Sequence, residues 1–169
     1  MRKAVFLDVD GVLNSHHMMD IRDTVFELDD TFLSRLADIV QGTNVDIILT
    51  SAWATGFDQD ENGVRVAKKE DGSLSKMGVA LESGLASHGI TIHALVTDVK
   101  YLREPRGQEI AAFLEKNPYE KWIIIDDENH DFTPEQRKRL IKTTYSHKDG
   151  LSKEGLTTKL TQKAIEKLL

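Results

Sequence analysis

The sequence predicts an α/β fold: a three-layer sandwich with a mainly parallel, Rossmann-like sheet and little or no cap domain. Three observations point there. Short runs of β-branched and aromatic residues alternate with longer stretches of helical periodicity. Alternation of that kind builds a parallel sheet with helices on both faces. Several of the apolar runs also stop abruptly at acidic or hydroxyl residues, and strand ends are where such sheets bind ligands. At 169 residues, one domain spanning residues 1–169 is expected.

The first strand is read over Ala4–Val9. Asp29 or Asp30 then caps a helix that carries Phe32, Leu33, Leu36, Ile39 and Val40 on one face. A second strand covers Val45–Thr50. Met77, Leu81 and Leu85 recur every four residues in the next helix, and a third strand covers Thr91–Val96. Pro105 suits the first turn of a helix with Ile110, Phe113 and Leu114. Trp122–Asp126 is the fourth strand. Thr133-Pro134-Glu135-Gln136 opens another helix, Ile141–Tyr145 is the fifth strand, and a last helix starts at about Thr158. Two stretches interrupt the alternation: Asn14–Glu27, which contains His16, His17 and Met18, and the polar, Gly-rich Gly56–Ser73. Both are too short for an independent cap and are expected to form loops or a hairpin.

Composition narrows the class. No apolar run approaches the roughly 20 residues of a membrane span, and the run before Asp8 is too short for a signal peptide. The absence of cysteine removes disulfides, thiolate nucleophiles and zinc–sulfur sites, so a cytoplasmic location is the default. A net charge of −6 weighs against a broad basic nucleic-acid face. The basic run 137–142 reads as a solvated helix face.

Four polar clusters fall at strand ends or helix starts. Asp8-Val9-Asp10-Gly11 puts two carboxylates two residues apart on extended chain, pointing the same way, with Gly11 permitting the turn that follows. Thr50-Ser51 ends a buried strand in two hydroxyls able to hold phosphate oxygens. Arg106, with Lys100 and Arg103 as rivals, offers a cation to neutralise an anion. Asp126-Asp127 follows three isoleucines; adjacent carboxylates repel unless a cation offsets them, and magnesium favours oxygen ligands of this kind.

In that order the four clusters resemble the haloacid dehalogenase-like superfamily over about 140 residues. More narrowly, they resemble the phosphatase-type domains of RNA-repair proteins and the 3′-phosphatase domain of polynucleotide kinase/phosphatases. The residues that carry the resemblance are Phe6–Asn14, Leu49–Trp53, Arg106–Ile110, Ile123–Asp127 and Gly155-Leu156-Thr157. The resemblance implies a phosphomonoester hydrolase in which Asp8 is the nucleophile and Asp10 the general acid and base. It implies Mg²⁺ held by Asp8, the Asp10 carbonyl and Asp126 or Asp127, with Thr50 and Arg106 steadying the phosphoryl group. Gly11, Ser51 and Trp53 are placed at the substrate, which is a nucleic-acid end bearing a 3′-phosphate, a nucleotide or another small phosphate ester. Related domains often carry an arginine shortly after the second motif, where this chain reads Ala52-Trp53-Ala54.

Other readings are weaker. Asp58–Gly63 imitates the start of a calcium loop, but Lys69 stands where a bidentate glutamate is required. His16-His17 reads as a substrate-facing flap or a loop rather than a metal site, and His130-Asp131 as a solvated turn. A receiver-type signalling domain gathers similar residues, but its acidic pair comes first in the chain, and here it comes late. A dehalogenase does not need Asp10, and a phosphomutase usually carries a large cap. A binding module that keeps the motifs without turnover is the alternative of another class.

Overall fold

A computed structural model describes residues 1–18, 26–60, 63–66, 75–96 and 105–169, with only the backbone at 58–60 and 63–66. Five strands line up in parallel: β1 (Lys3–Leu7), β2 (Asp46–Leu49), β5 (Ile92–Leu95), β6 (Lys121–Asp126) and β7 (Leu140–Lys142), in the order β5-β2-β1-β6-β7. A separate antiparallel hairpin joins β3 (Phe57–Asp60) to β4 (Gly63–Val66). This hairpin is what the expected Gly56–Ser73 insert contributes among the described residues, and no separately packed cap is found among them. Residues 61–62 and 67–74 lie outside the description, as do 19–25 of the first insert.

The connections are helical: α1 (Asp30–Thr43), α2 (Lys76–Ala86), α3 (Arg106–Lys116), α4 (Pro134–Lys138) and α5 (Thr158–Leu168). Each start has a chemical reason. Asp29 accepts hydrogen bonds from the N–H groups of Thr31 and Phe32 at 2.8 and 3.1 Å, satisfying two of the orphan donors at the N-terminus of α1. Asn44 ends that helix in the left-handed region at φ 53°, a conformation asparagine tolerates. Thr133 and Gln136 form a reciprocal capping box with Pro134 at the first helical position. No helix among the described residues is long and apolar enough to cross a membrane.

Alternation along β1 divides the interior into two layers. Val5 and Leu7 join Ile47, Leu49, Ile123 and Ile125 under α1, α2 and α5. Ala4 and Phe6 face the other way and pack with Ile48, Ile124 and Ile110 of α3. Phe6 is fully buried there and meets Phe113 and Trp122 edge-on, with ring centroids 5.9 and 5.8 Å away. Such pairs add about 0.5–1.5 kcal/mol beyond the area they bury. A strand buried on both faces reads as a continuous apolar run, which is why Val5-Phe6-Leu7 shows no polar alternation.

Four of the five strands are shorter than expected at their carboxyl ends, for a consistent reason, while β6 ends at Asp126 as expected. Asp8, Thr50, Val96 and Thr143 each leave the strand after donating a last N–H bond of 2.9–3.0 Å to the neighbouring strand, at Ile125, Leu7, Leu49 and Asp126 respectively. The chain runs outward through β1, β2 and β5, then returns to the other side of β1 with β6 and β7. The topological switch point therefore lies between β1 and β6, where this class of sheet opens a crevice. Pro105 also sits one position earlier than expected, at the N-cap of α3, so that Arg106 is the first residue of the helix.

Candidate active site at the switch point

Asp8 emerges from β1 beside the end of β6, its N–H bonded to Ile125 O at 3.0 Å. One carboxylate oxygen from each of Asp8, Asp126 and Asp127 lies within 4.8 Å of the others. Arg106 projects from the start of α3 into this group. Its Nη1 lies 3.4 Å from Asp8 Oδ1 and also donates to Asp126 Oδ2. The other oxygen of Asp126 accepts the Glu128 N–H at 2.9 Å. Of the three cations weighed from the sequence, Arg106 is the one seen at the site; Lys100 and Arg103 lie outside the described residues.

The placement of Arg106 is secured from below. Gln136, part of the capping box of α4, donates through Nε2 to Gly107 O at 2.8 Å. The start of α4 thus clamps the start of α3. A β-carbon at Gly107 would stand 2.4 Å from Asp131 O, so the close approach requires glycine.

Charge is unbalanced in this cluster. Burial, repulsion from Asp126 and then the pull of Arg106 set the Asp8 carboxyl, with Asp127 adding repulsion, and the result is a rise to about 8. Burial and the charges of Asp126 and Glu128 push Asp127 up to about 6. Burial disfavours the Arg106 cation, but Asp8 and Asp126 more than offset it and raise its proton affinity. One guanidinium among three carboxylates leaves net negative charge in a largely buried space. A hard divalent cation fits this donor set, which offers carboxylate oxygens alone.

Asp10 is set apart from that cluster. Its Oδ1 accepts Asn14 Nδ2 at 2.8 Å and the indole Nε1–H of Trp53 at 3.0 Å. Asn14 in turn accepts the Gly11 N–H at 2.9 Å, closing a short loop in which Gly11 takes φ 75°. A β-carbon on Gly11 would stand 2.7 Å from the Asp127 carboxyl group. The glycine thus lets the loop after β1 lie against the loop after β6.

Thr50 lies beside Asp8, its N–H bonded to Leu7 O. Its Oγ1 is buried and has no hydrogen-bond partner among the described residues, which is costly unless a ligand supplies one. Ser51 does turn work: its hydroxyl accepts the Trp53 N–H at 3.1 Å and caps the 3₁₀ turn Ala52–Gly56. A cavity of about 450 Å³ opens next to these groups, lined by Asp10, Trp53, Asp127, Phe26, Met77 and Tyr145.

The structure thus gathers Asp8, Asp126, Asp127 and Arg106 in one contact group, with Asp10, Gly11, Thr50, Ser51 and Trp53 around it. Sequence reasoning placed Trp53 at the substrate but did not foresee that Trp53 and Asn14 hold Asp10. Asn14, four residues on in a tight loop, carries a local signal of the kind asparagine gives in turns. Trp53 carries none, since its bond to Asp10 spans 43 positions. Phe26 and Tyr145 were also missed, although Tyr145 stands at the carboxyl end of the predicted fifth strand. His130 and Asp131 are exposed, with His130 between Glu128 and Asp131, as a solvated turn requires. His16 and His17 are exposed as well, and the His17 N–H bonds Glu154 Oε2 at 3.2 Å.

Strand order, an Asp-x-Asp end on β1 and an Asp-Asp end on β6 define a haloacid dehalogenase-like (HAD) domain. The family model for the HAD domain in Swiss Army Knife RNA repair proteins matches residues 4–156, and the chain belongs to that family. No curated protein and no solved structure matches the chain.

Proposed function

We propose that the chain is a Mg²⁺-dependent phosphomonoester hydrolase working through an aspartyl-phosphate on Asp8. The observation that carries this reading is the contact group at the switch point: Asp8 against Arg106 and beside Asp126 and Asp127, with Asp10 held separately two residues away.

In the first step a carboxylate oxygen of Asp8 forms a bond to phosphorus as the ester P–O bond breaks, and Asp10 gives its proton to the departing oxygen. In the second step Asp10, now a carboxylate, takes a proton from water as that water attacks the same phosphorus. Inorganic phosphate leaves and the Asp8 carboxylate is restored. Arg106 and the Thr50 hydroxyl, which has no partner among the described residues, hold phosphoryl oxygens whose charge redistributes during transfer. Asp8, Asp126 and Asp127, with the Asp10 carbonyl, would hold Mg²⁺, which offsets the charge of the carboxylates and of the phosphoryl group.

The proposed substrate is a nucleic-acid end bearing a 3′-phosphate, or a nucleotide. The family description names RNA repair proteins, which supports this choice.

The test is hydrolysis of an aryl phosphate with Mg²⁺ and with excess chelator. Turnover with the metal and none in chelator is expected; full activity in chelator overturns the metal assignment. A panel of 3′-phosphorylated oligonucleotides, nucleotides and sugar phosphates then ranks the substrate classes, and a preference for sugar phosphates would overturn the nucleic-acid assignment.

A further inference from the structure

Among the described residues, Phe26 and Tyr145 are the exposed large aromatic side chains, at 40% and 37%. They come from opposite ends of the chain, yet both line the one cavity that also holds Asp10 and Asp127. Phe26 stands edge-on to Trp53, with ring centroids 5.8 Å apart at 90°, and Trp53 holds Asp10. Tyr145 is propped by the ring of His16, 6.0 Å away, and its carbonyl accepts the His16 N–H at 2.9 Å. Two aromatic side chains left in water beside a reacting group have surface to offer a ligand.

From these contacts we propose that the cavity is a slot for one nucleobase, stacked against Phe26 and Tyr145 while the phosphate sits at Asp8. This rests on the hydrolase reading and deepens it. Asp10 must reach the oxygen that leaves, so the leaving group lies on the Asp10 side, and there the walls are aromatic. The cavity, at about 450 Å³, is within the roughly 300–1,000 Å³ of small-molecule sites. Among the described residues, no lysine or arginine lines it. The aromatic walls of Phe26, Trp53 and Tyr145 suit the face of a base, and stacking of that kind discriminates little among the four bases. A free nucleotide and the terminal nucleotide of a strand present the same chemistry to it.

The test compares kcat/KM for adenosine 3′-monophosphate, a short oligonucleotide 3′-phosphate and glycerol phosphate, in the parent and in Phe26→Leu and Tyr145→Leu. The parent is expected to prefer the base-bearing esters by about tenfold or more, and each substitution to reduce that preference about tenfold, the scale of one lost stacking ring. A faster oligonucleotide assigns the base to a strand end, a faster mononucleotide to the free nucleotide, and either supports the slot. Calorimetric binding of adenosine 3′-monophosphate to Asp8→Asn, with and without Phe26→Leu, is the second readout. Hydrolysis of all three esters without preference overturns the slot and leaves the hydrolase reading standing. Binding that weakens with Phe26→Leu, in a parent that hydrolyses nothing, overturns the hydrolase reading and supports the slot. Neither hydrolysis nor binding overturns both.

Discussion

The indole Nε1–H of Trp53 donates a 3.0 Å hydrogen bond to the Asp10 carboxylate, tying the end of β2 to the loop after β1. Asn14 holds the same oxygen from the other side at 2.8 Å. Asp10 therefore has one orientation, fixed from two elements, and a group that must give and take a proton gains from such fixity.

Trp53→Phe removes the indole donor and keeps an aromatic ring in the same place. Loss of one such bond costs about 1 kcal/mol of positioning, so kcat should fall about five- to tenfold with little change in KM. The loss should be larger for glycerol phosphate than for p-nitrophenyl phosphate, whose good leaving group needs little protonation. Steady-state kinetics with both esters checks this. Equal losses on the two would mean that Trp53 does not act through Asp10.

The two aspartates should separate cleanly. Asp8→Asn should abolish turnover, because an amide cannot form an acyl phosphate. Asp10→Asn should leave attack possible while slowing both steps by roughly 10²–10⁴-fold, the usual scale of general acid–base help. Intact-protein mass spectrometry after mixing with an activated aryl phosphate and Mg²⁺ should then find phosphorylated protein in the Asp10 variant and none in the Asp8 variant. A phosphoryl group on Asp8→Asn would refute the covalent route.

Arg106→Lys keeps the charge but replaces the planar guanidinium, whose Nη1 meets both Asp8 and Asp126, with a compact ammonium. A tenfold or greater drop in kcat/KM is expected, with the fold retained. Arg106→Met leaves the buried Asp126 carboxylate without its cation and should cost about 3 kcal/mol in urea unfolding measured in chelator. A loss below ~1 kcal/mol would show that this ion pair does not hold the fold together.

Glu154 supplies a pH test away from the chemistry. It is 1% exposed, and its carboxylate accepts the His147 N–H at 2.8 Å and the His17 N–H at 3.2 Å. Burial pushes this carboxyl up, but those bonds, the Ser15 hydroxyl and the charge of His17 together hold it below its usual 4.5. A carboxyl depressed in the folded state contributes stability that is present above its unfolded value and lost as pH falls through the folded one. Glu154→Gln should therefore cost about 1.5–3 kcal/mol at pH 7, and the gap to the parent should close below pH 4.5. Urea midpoints across pH 3 to 7 follow it; a gap that stays constant would rule out the linkage.

The architecture was legible in the sequence because its signals are local. Val5-Phe6-Leu7 and Ile123-Ile124-Ile125 are short apolar runs of the kind doubly buried strands leave, and the acidic residues after them mark the rim. Asp29, Thr133 and Pro134 announce helix starts by their own chemistry. Strand lengths were less legible, because the exit residues Asp8, Thr50 and Thr143 keep a ladder bond while already turning away. The placement of Arg106 at the site depended on where α3 begins, a matter of one residue at Pro105. The contacts of Trp53 with Asp10 and of Phe26 with Trp53 depend on side chains brought together only by the finished sheet, and no local pattern encodes them.

The switch point has a consequence for synthesis. Asp8 is translated before Asp126, yet β1 lies between β2 and β6. A nascent chain that has completed β5 therefore carries β1 with one open edge, its backbone donors and acceptors waiting for a strand not yet translated. Until β6 arrives, that edge is the natural point of capture by chaperones or by another half-made copy. A ribosome stalled just before position 126 would hold a chain that has Asp8, Asp10, Thr50 and Arg106 but lacks the acidic pair that completes the site.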